Sequence, residues 1–198
     1  MNYPPKHHQD QDINHMIEVI KSYPLATIIS GDNNIPFITH LPLIYNKKWK
    51  LIGHIDIYNP QAKLLKNSNA ITIIFSGPQC YISPSIYSTT QLPTWNYIKV
   101  HLTGKVKAIE SKEALKESLI TMTEFLEAPE HNYILESDNK RMEGALDYIK
   151  MFEITIDNWE GKFKLSQDKS PKDIENARAK LIRENKKSVE VFLNKVFK

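Results

Sequence analysis

Between residues 95 and 106 the chain alternates: Ile98, Val100, Leu102 and Val106 fall on one side, and Tyr97, Lys99, His101, Thr103 and Lys105 on the other. A period of two commits this segment to a strand with one buried face and one wet face. An apolar run at residues 71–75 predicts a second strand. Between the two lies a segment read as a loop, carrying Pro78, Pro84 and Pro93 among many Tyr, Ser, Thr, Trp and Asn residues. Aromatic faces and short hydrogen-bonding groups at a sheet edge suit a flat, amphipathic ligand. The same aromatics would serve equally well packed back on a core.

The neighbouring segments extend the β pattern. A helix is expected over residues 10–22, where Ile13, Met16, Ile17 and Ile20 keep helical spacing. Strands are expected at 25–30, 35–45 and 49–57. Gly31-Asp32-Asn33-Asn34 and Asn46-Lys47-Lys48 have the composition of turns. Asn59-Pro60 reads as an N-cap followed by proline, opening a short helix over 60–66 whose first turn would offer N–H groups to an anion beside Gln61 and Lys63. Ser111 caps a helix expected to reach residue 127, with Leu115, Leu119, Met122 and Leu126 as its stripe. Residues 128–139 read as polar connection and 141–149 as helical turns, leading to a strand at 151–157. Ser170-Pro171 opens a last helical region over 172–197, broken near Asn185.

Strands joined by hairpin-length turns, with helices at both ends, predict a mainly β fold with flanking α-helices, the sheet closed into a small barrel. Two regions are expected: a barrel over 1–170 and a helical extension over 171–198 packed on it. A chain of 198 residues can bury a real core. No apolar run approaches the roughly 20 residues of a membrane span, and the polar, proline-bearing start does not read as a secretory signal, so the cytoplasm is the expected compartment. The net charge is +3, and residues 172–198 carry eight Lys/Arg against four Asp/Glu. That basic excess reads as a solvated helix face or as a contact for nucleic acid.

Several chemistries lack their sequence signals. There is no G-x-G-x-x-G, P-loop, H-E-x-x-H or G-x-S-x-G motif, so no catalytic residue is assigned. The single cysteine, Cys80, forms no disulfide within the chain and reads as a small hydrophobe in a strand. His7-His8 reads as part of a flexible tail. His40, His54 and His101 sit on strands without a carboxylate or cysteine at ligand spacing, and no metal is expected.

Five strings narrow the reading. They are Thr39-His40-Leu41-Pro42-Leu43; Gly53-His54 followed by Asn59-Pro60-Gln61; Gly77-Pro78 through Tyr81-Ile82-Ser83-Pro84-Ser85-Ile86-Tyr87; Pro93-Thr94-Trp95-Asn96-Tyr97 with Val100-His101; and Gly161-Lys162-Phe163-Lys164-Leu165-Ser166-Gln167. Together, from about residue 3 to 181, the chain resembles the PaiB-type FMN-binding negative transcriptional regulators. Ile86 stands where that family suggests a larger aromatic, and residues 128–139 find no counterpart.

The resemblance implies an FMN-binding split β-barrel, related to pyridoxamine-phosphate oxidase, working as a homodimer with flavin at the subunit interface. It implies a cofactor site drawn from Thr39, His40, Leu41, Pro42, His54, Asn59, Gln61, Lys63, Ser83, Tyr87, Trp95, Asn96, Tyr97, Lys164 and Gln167. The phosphate is expected near Thr39, His40, Asn59, Gln61 and Lys63. The ring is expected against residues 81–87, with Ser83 offering a hydroxyl and residues 95–97 closing the pocket. Three functions stay open: a regulator with DNA or a regulatory protein as partner, an FMN oxidoreductase using a nicotinamide or quinone, and a haem-binding barrel.

Overall fold

The structure is a computed structural model that describes residues 3–46, 48 and 50–186. The described residues form two compact units. The larger comprises residues 13–76 and 100–160; the smaller comprises 3–12, 77–99 and 161–186. In chain order the elements are β1 (Gln9–Asp10), α1 (Ile13–Ser22), β2 (Leu25–Asp32), β3 (Ile35–Pro42), β4 (Ile44–Tyr45) and β5 (Leu51–Asp56). Then follow β6 (Ala70–Ile82), β7 (Thr94–Ile109), α2 (Lys112–Glu127), α3 (Lys140–Ala145), β8 (Ile149–Lys164) and α4 (Pro171–Asn185). The strands follow the order β3-β2-β6-β7-β8-β5-β4, and β1 pairs with β8.

In the larger unit the β2–β3 hairpin turns on Asn33 and Asn34, both at positive φ (48° and 65°). This two-residue turn matches the twist of the strands it joins, and asparagine tolerates it. It sets the register that places Ile28 opposite Thr39 and Thr27 opposite His40. The alternation of β2, β6 and β7 buries Ala26, Ile28, Ile73, Phe75, Val100 and Leu102 completely. The sheet curls within this unit. Gly53 on β5 lies so close to Leu41 and Leu43 that an added Cβ would meet their methyl groups at 3.1 and 2.5 Å. That curl is the expected barrel. Ile44, Ile52 and Met151 pack with Leu115 and Met122 of α2 and with Met142 of α3 in a second apolar cluster.

In the smaller unit, Cys80 and Ile82 of β6 pack against Ala177 of α4, with Ile86, Tyr87 and Leu181 around them. Cys80 is the small buried hydrophobe expected, and burial pushes its thiol pKa up, away from reactivity. Ser170 caps α4 by accepting the Asp173 N–H at 3.2 Å.

Several boundaries differ from expectation. The segment read as a loop after Phe75 is strand as far as Ile82. Pro78 lies past Phe75, the last β6 residue paired with β2, where its missing N–H breaks no ladder on that edge. The expected strand over 35–45 breaks at Leu43, whose N–H turns aside to the Pro24 carbonyl. The helix expected over 60–66 is a four-residue 3-10 turn, Pro60–Lys63. Asp10, expected at the start of the first helix, is strand, and that helix begins at Ile13; Leu126 is exposed while Ser118 is buried in its stead. The final helix is described to Asn185. It ends there, with Lys186 as its C-cap, where a break was expected; the expected second helix and the basic residues from 187 onward lie outside the described residues.

Candidate functional site

The expected site residues divide between the two units. In the larger one, Asn59 works in two directions: its Nδ2 donates to Thr39 Oγ1 (3.1 Å), and its Oδ1 accepts the Gln61 N–H (2.9 Å). Gln61 is 1% exposed and donates through Nε2 to Ser30 Oγ (3.0 Å) and the Ile28 carbonyl (3.3 Å). Its Oε1 is buried without a hydrogen-bond partner. Thr39, Asn59 and Gln61 therefore form one connected group.

Strand alternation sends the neighbours elsewhere. His40 sits on the opposite face of β3, exposed, with Nδ1 3.0 Å from Thr27 Oγ1. Leu41 is buried beside the core and Pro42 is half-buried. His54 binds Ser118 Oγ on α2 at 2.8 Å, and burial drives its pKa down to about 4, so it is neutral at physiological pH.

The 3-10 turn Pro60–Lys63 is a weak anion cradle. One short turn carries little dipole, and its Gln61 N–H is already capped by Asn59. Positive side chains lie nearby. Lys63 is exposed and borders a cavity of about 460 Å³ that Lys66, Lys112, Lys150 and Ser111 also line. Lys112 is paired there with Asp147 at 2.5 Å. Ammonium groups and hydroxyls are the donors a phosphate dianion requires.

In the smaller unit the centre is Ser166, 3% exposed and held at φ 65°. Tyr87 Oη lies 2.8 Å from its Oγ, and Asn96 Nδ2 donates to the same oxygen at 3.0 Å. Lys164 donates to Thr94 Oγ1, and Gln167 binds His8. A cavity of about 320 Å³ is lined by His8, Tyr87, Asn96, Lys164, Ser166 and Asp168.

Asn96 points inward, 1% exposed, and the adjacent residues of β7 point out. Trp95 is 50% exposed and lies 6.4 Å from the ring of Tyr81, itself 46% exposed. Tyr97 is half-buried. Two large rings left open to water form an aromatic surface that suits a flat ligand. Ser83 spends its hydroxyl on the turn that follows, accepting the Ser85 N–H at 3.3 Å.

Sequence reasoning did not single out Ser166 as a hub, nor Ser30 and Ser118 as partners. Their partners lie 70, 31 and 64 residues away, beyond any local spacing. Removing the Ser166 hydroxyl tests the hub. Ser166→Ala leaves Tyr87 and Asn96 without their shared partner and is expected to cost about 2 kcal/mol in chemical denaturation. A cost near zero would mean that the network does not form.

Residues 2–158 match the family described as "Putative FMN-binding domain". The chain is 32% identical over 179 residues to the protease synthase and sporulation protein PAI 2 of Bacillus subtilis (strain 168), covering 88% of this chain and 86% of that protein. Among solved structures it is similar to an FAD- and haem-binding protein from Mycobacterium smegmatis, with a TM-score of 0.66 at 16% identity, covering 85% of this chain and 79% of that one. It is also similar to the flavocytochrome Anf3 from Azotobacter vinelandii, with a TM-score of 0.61 at 18% identity and coverages of 79% and 69%. At those identities the likeness speaks for the split-barrel fold alone.

Proposed function

This chain belongs to the PaiB-type family of FMN-binding domains, and from that premise we propose that it is a homodimeric, cytoplasmic flavoprotein acting as a negative regulator of transcription. The observation that carries the regulatory reading is the match, along nearly the whole of both chains, to a protein named for protease synthesis and sporulation. Its target is DNA, bound directly or through a regulatory protein. Homodimer formation is supported by the outer face of β2 and β3, where Leu25 and Ile38 lie on one side and are 63% and 57% exposed. A second copy would cover that apolar surface.

Two groups of residues are assigned to the cofactor. Lys63, with the Thr39–Asn59–Gln61 cluster, takes the phosphate. Trp95, with Tyr81, Tyr97 and the Tyr87–Ser166–Asn96 network, takes the ring. Bound FMN would supply a redox-active, light-absorbing group. The protein's part is to neutralise the phosphate and to hold the ring against an aromatic surface.

Lys63→Ala is expected to weaken FMN about tenfold, the loss of one charged hydrogen bond. Combined with Trp95→Ala, it should abolish FMN retention on desalting. Fluorescence titration of the apoprotein reads both effects, and unchanged affinity in a folded double variant would remove the assignment. For the regulatory role, purified untagged protein should shift promoter DNA in a gel, with affinity falling steeply as salt rises. NADH-dependent turnover of the flavin without any DNA shift would replace the regulator with an oxidoreductase, and a Soret band would replace it with a haem protein.

A further inference from the structure

The geometry points to a divalent metal site formed by His7, His8 and Asp168 in the smaller unit, suited to Zn²⁺ with one coordination position left open. The site uses none of the residues assigned to FMN as ligands, and it borders the cavity that Tyr87, Asn96 and Ser166 also line.

The three side chains come from distant parts of the chain. His7 and His8 lie on the 3-10 turn Lys6–His8, and Asp168 follows the end of β8. Each offers one ligand atom, and these atoms all lie within 4.8 Å of one another. A tetrahedral ion with bonds of about 2.1 Å holds its ligand atoms about 3.4 Å apart, a gap that side-chain rotation closes. Two imidazoles and one carboxylate are borderline ligands that favour Zn²⁺ and its first-row neighbours over Ca²⁺ or Mg²⁺.

The independent observation is the tautomer of His8. Gln167 Oε1 accepts the Leu165 N–H at 2.7 Å, and Gln167 Nε2 donates to the Phe163 carbonyl. Those backbone partners fix which end of the amide is oxygen. His8 Nδ1, 2.9 Å from that oxygen, must therefore carry the proton and donate it. The lone pair is left on Nε2. His8 is 8% exposed. A buried imidazole, oriented by a carboxamide at its far nitrogen, is prepared to bind a metal in the way ligating histidines ordinarily are.

The present competitor is Lys169, which pairs with Asp168 at 2.7 Å. Lys169 is half-buried and Asp168 exposed, and a pair of this kind near the surface is worth little, so a metal can displace it. His8 and Asp168 also line the 320 Å³ cavity with Lys164 and Lys169. An ion there would direct its open position toward a space whose two ammonium groups suit a small anionic ligand.

The test uses the full-length, untagged, flavin-saturated protein after chelator treatment. Co²⁺ should bind at one equivalent per chain with an intense visible band at wavelengths beyond flavin absorption, and Zn²⁺ should displace it. His7→Ala and Asp168→Asn each remove an exposed ligand. Each is expected to weaken Zn²⁺ by about tenfold or more, leaving the unfolding midpoint of the metal-free protein and the flavin spectrum unchanged. Failure to retain Zn²⁺ on desalting, or wild-type affinity in both variants, overturns the site.

Discussion

Gly104→Ala should destabilise the protein by about 3 kcal/mol or more, measured by urea denaturation. A Cβ at this position of β7 would lie 2.3 Å from the Thr155 carbonyl oxygen and 3.1 Å from its carbon, both backbone atoms of β8. Backbone cannot turn aside without giving up sheet pairing, so the strain has no cheap outlet. Gly53 supplies the contrast. Its added Cβ would meet Leu43 Cδ2 at 2.5 Å and Phe152 Cζ at 2.9 Å, which are side-chain ends. Rotation absorbs part of that overlap, so Gly53→Ala should cost about 1–2 kcal/mol. If Gly104→Ala costs less than Gly53→Ala, β7 and β8 do not approach as described.

The second large effect is on acid stability. His54 has its pKa lowered from 6.5 to about 4 by burial, with Nε2 against Ser118. Between those values the unfolded chain binds a proton that the folded chain refuses. Stability from this site is therefore complete above about pH 6.5 and is lost as pH falls toward 4, in total about 3 kcal/mol. His54→Gln keeps a polar partner for Ser118 and does not titrate. It should flatten the slope of unfolding free energy against pH in that window by about one proton, or 1.4 kcal/mol per pH unit. An unchanged slope would show that His54 is protonated in the folded protein.

Local signals carried well where one face of an element decides its fate. The alternation of β7 was legible because Val100, Leu102 and Val106 are in fact buried and Thr103 and Lys105 are exposed. The caps at Asn59, Ser111 and Ser170 were legible because capping depends on neighbours two or three residues away. What failed depended on distant chain. Pro78 suggested a loop, yet whether a strand tolerates proline depends on which edge is paired. His7 and His8 looked like tail until the pairing of Gln9 with Lys162 set them beside the 163–168 segment.

The candidate site was legible as residue types more than as geometry. Thr39 and His40 are adjacent in sequence but point to opposite faces of β3, and only Thr39 joins Asn59 and Gln61. Trp95 and Asn96 divide in the same way: one ring faces water, and one amide is locked to Ser166. A motif string cannot show which of two neighbours faces the ligand unless the strand's buried side is known.

The seat of α4 governs how the basic C-terminal end can be studied by deletion. Ala177 is fully buried against Cys80 and Ile82, and Asp173 receives both the N–H and the hydroxyl of Ser88 at 2.7 and 3.0 Å. Cutting the chain before Pro171 would strip an apolar strand and loosen residues 83–88, and lost DNA binding in that variant would only report damage to the aromatic region. Ending the chain after Lys186 spares every one of those contacts, so that shortening separates the work of the last twelve residues from the integrity of the domain.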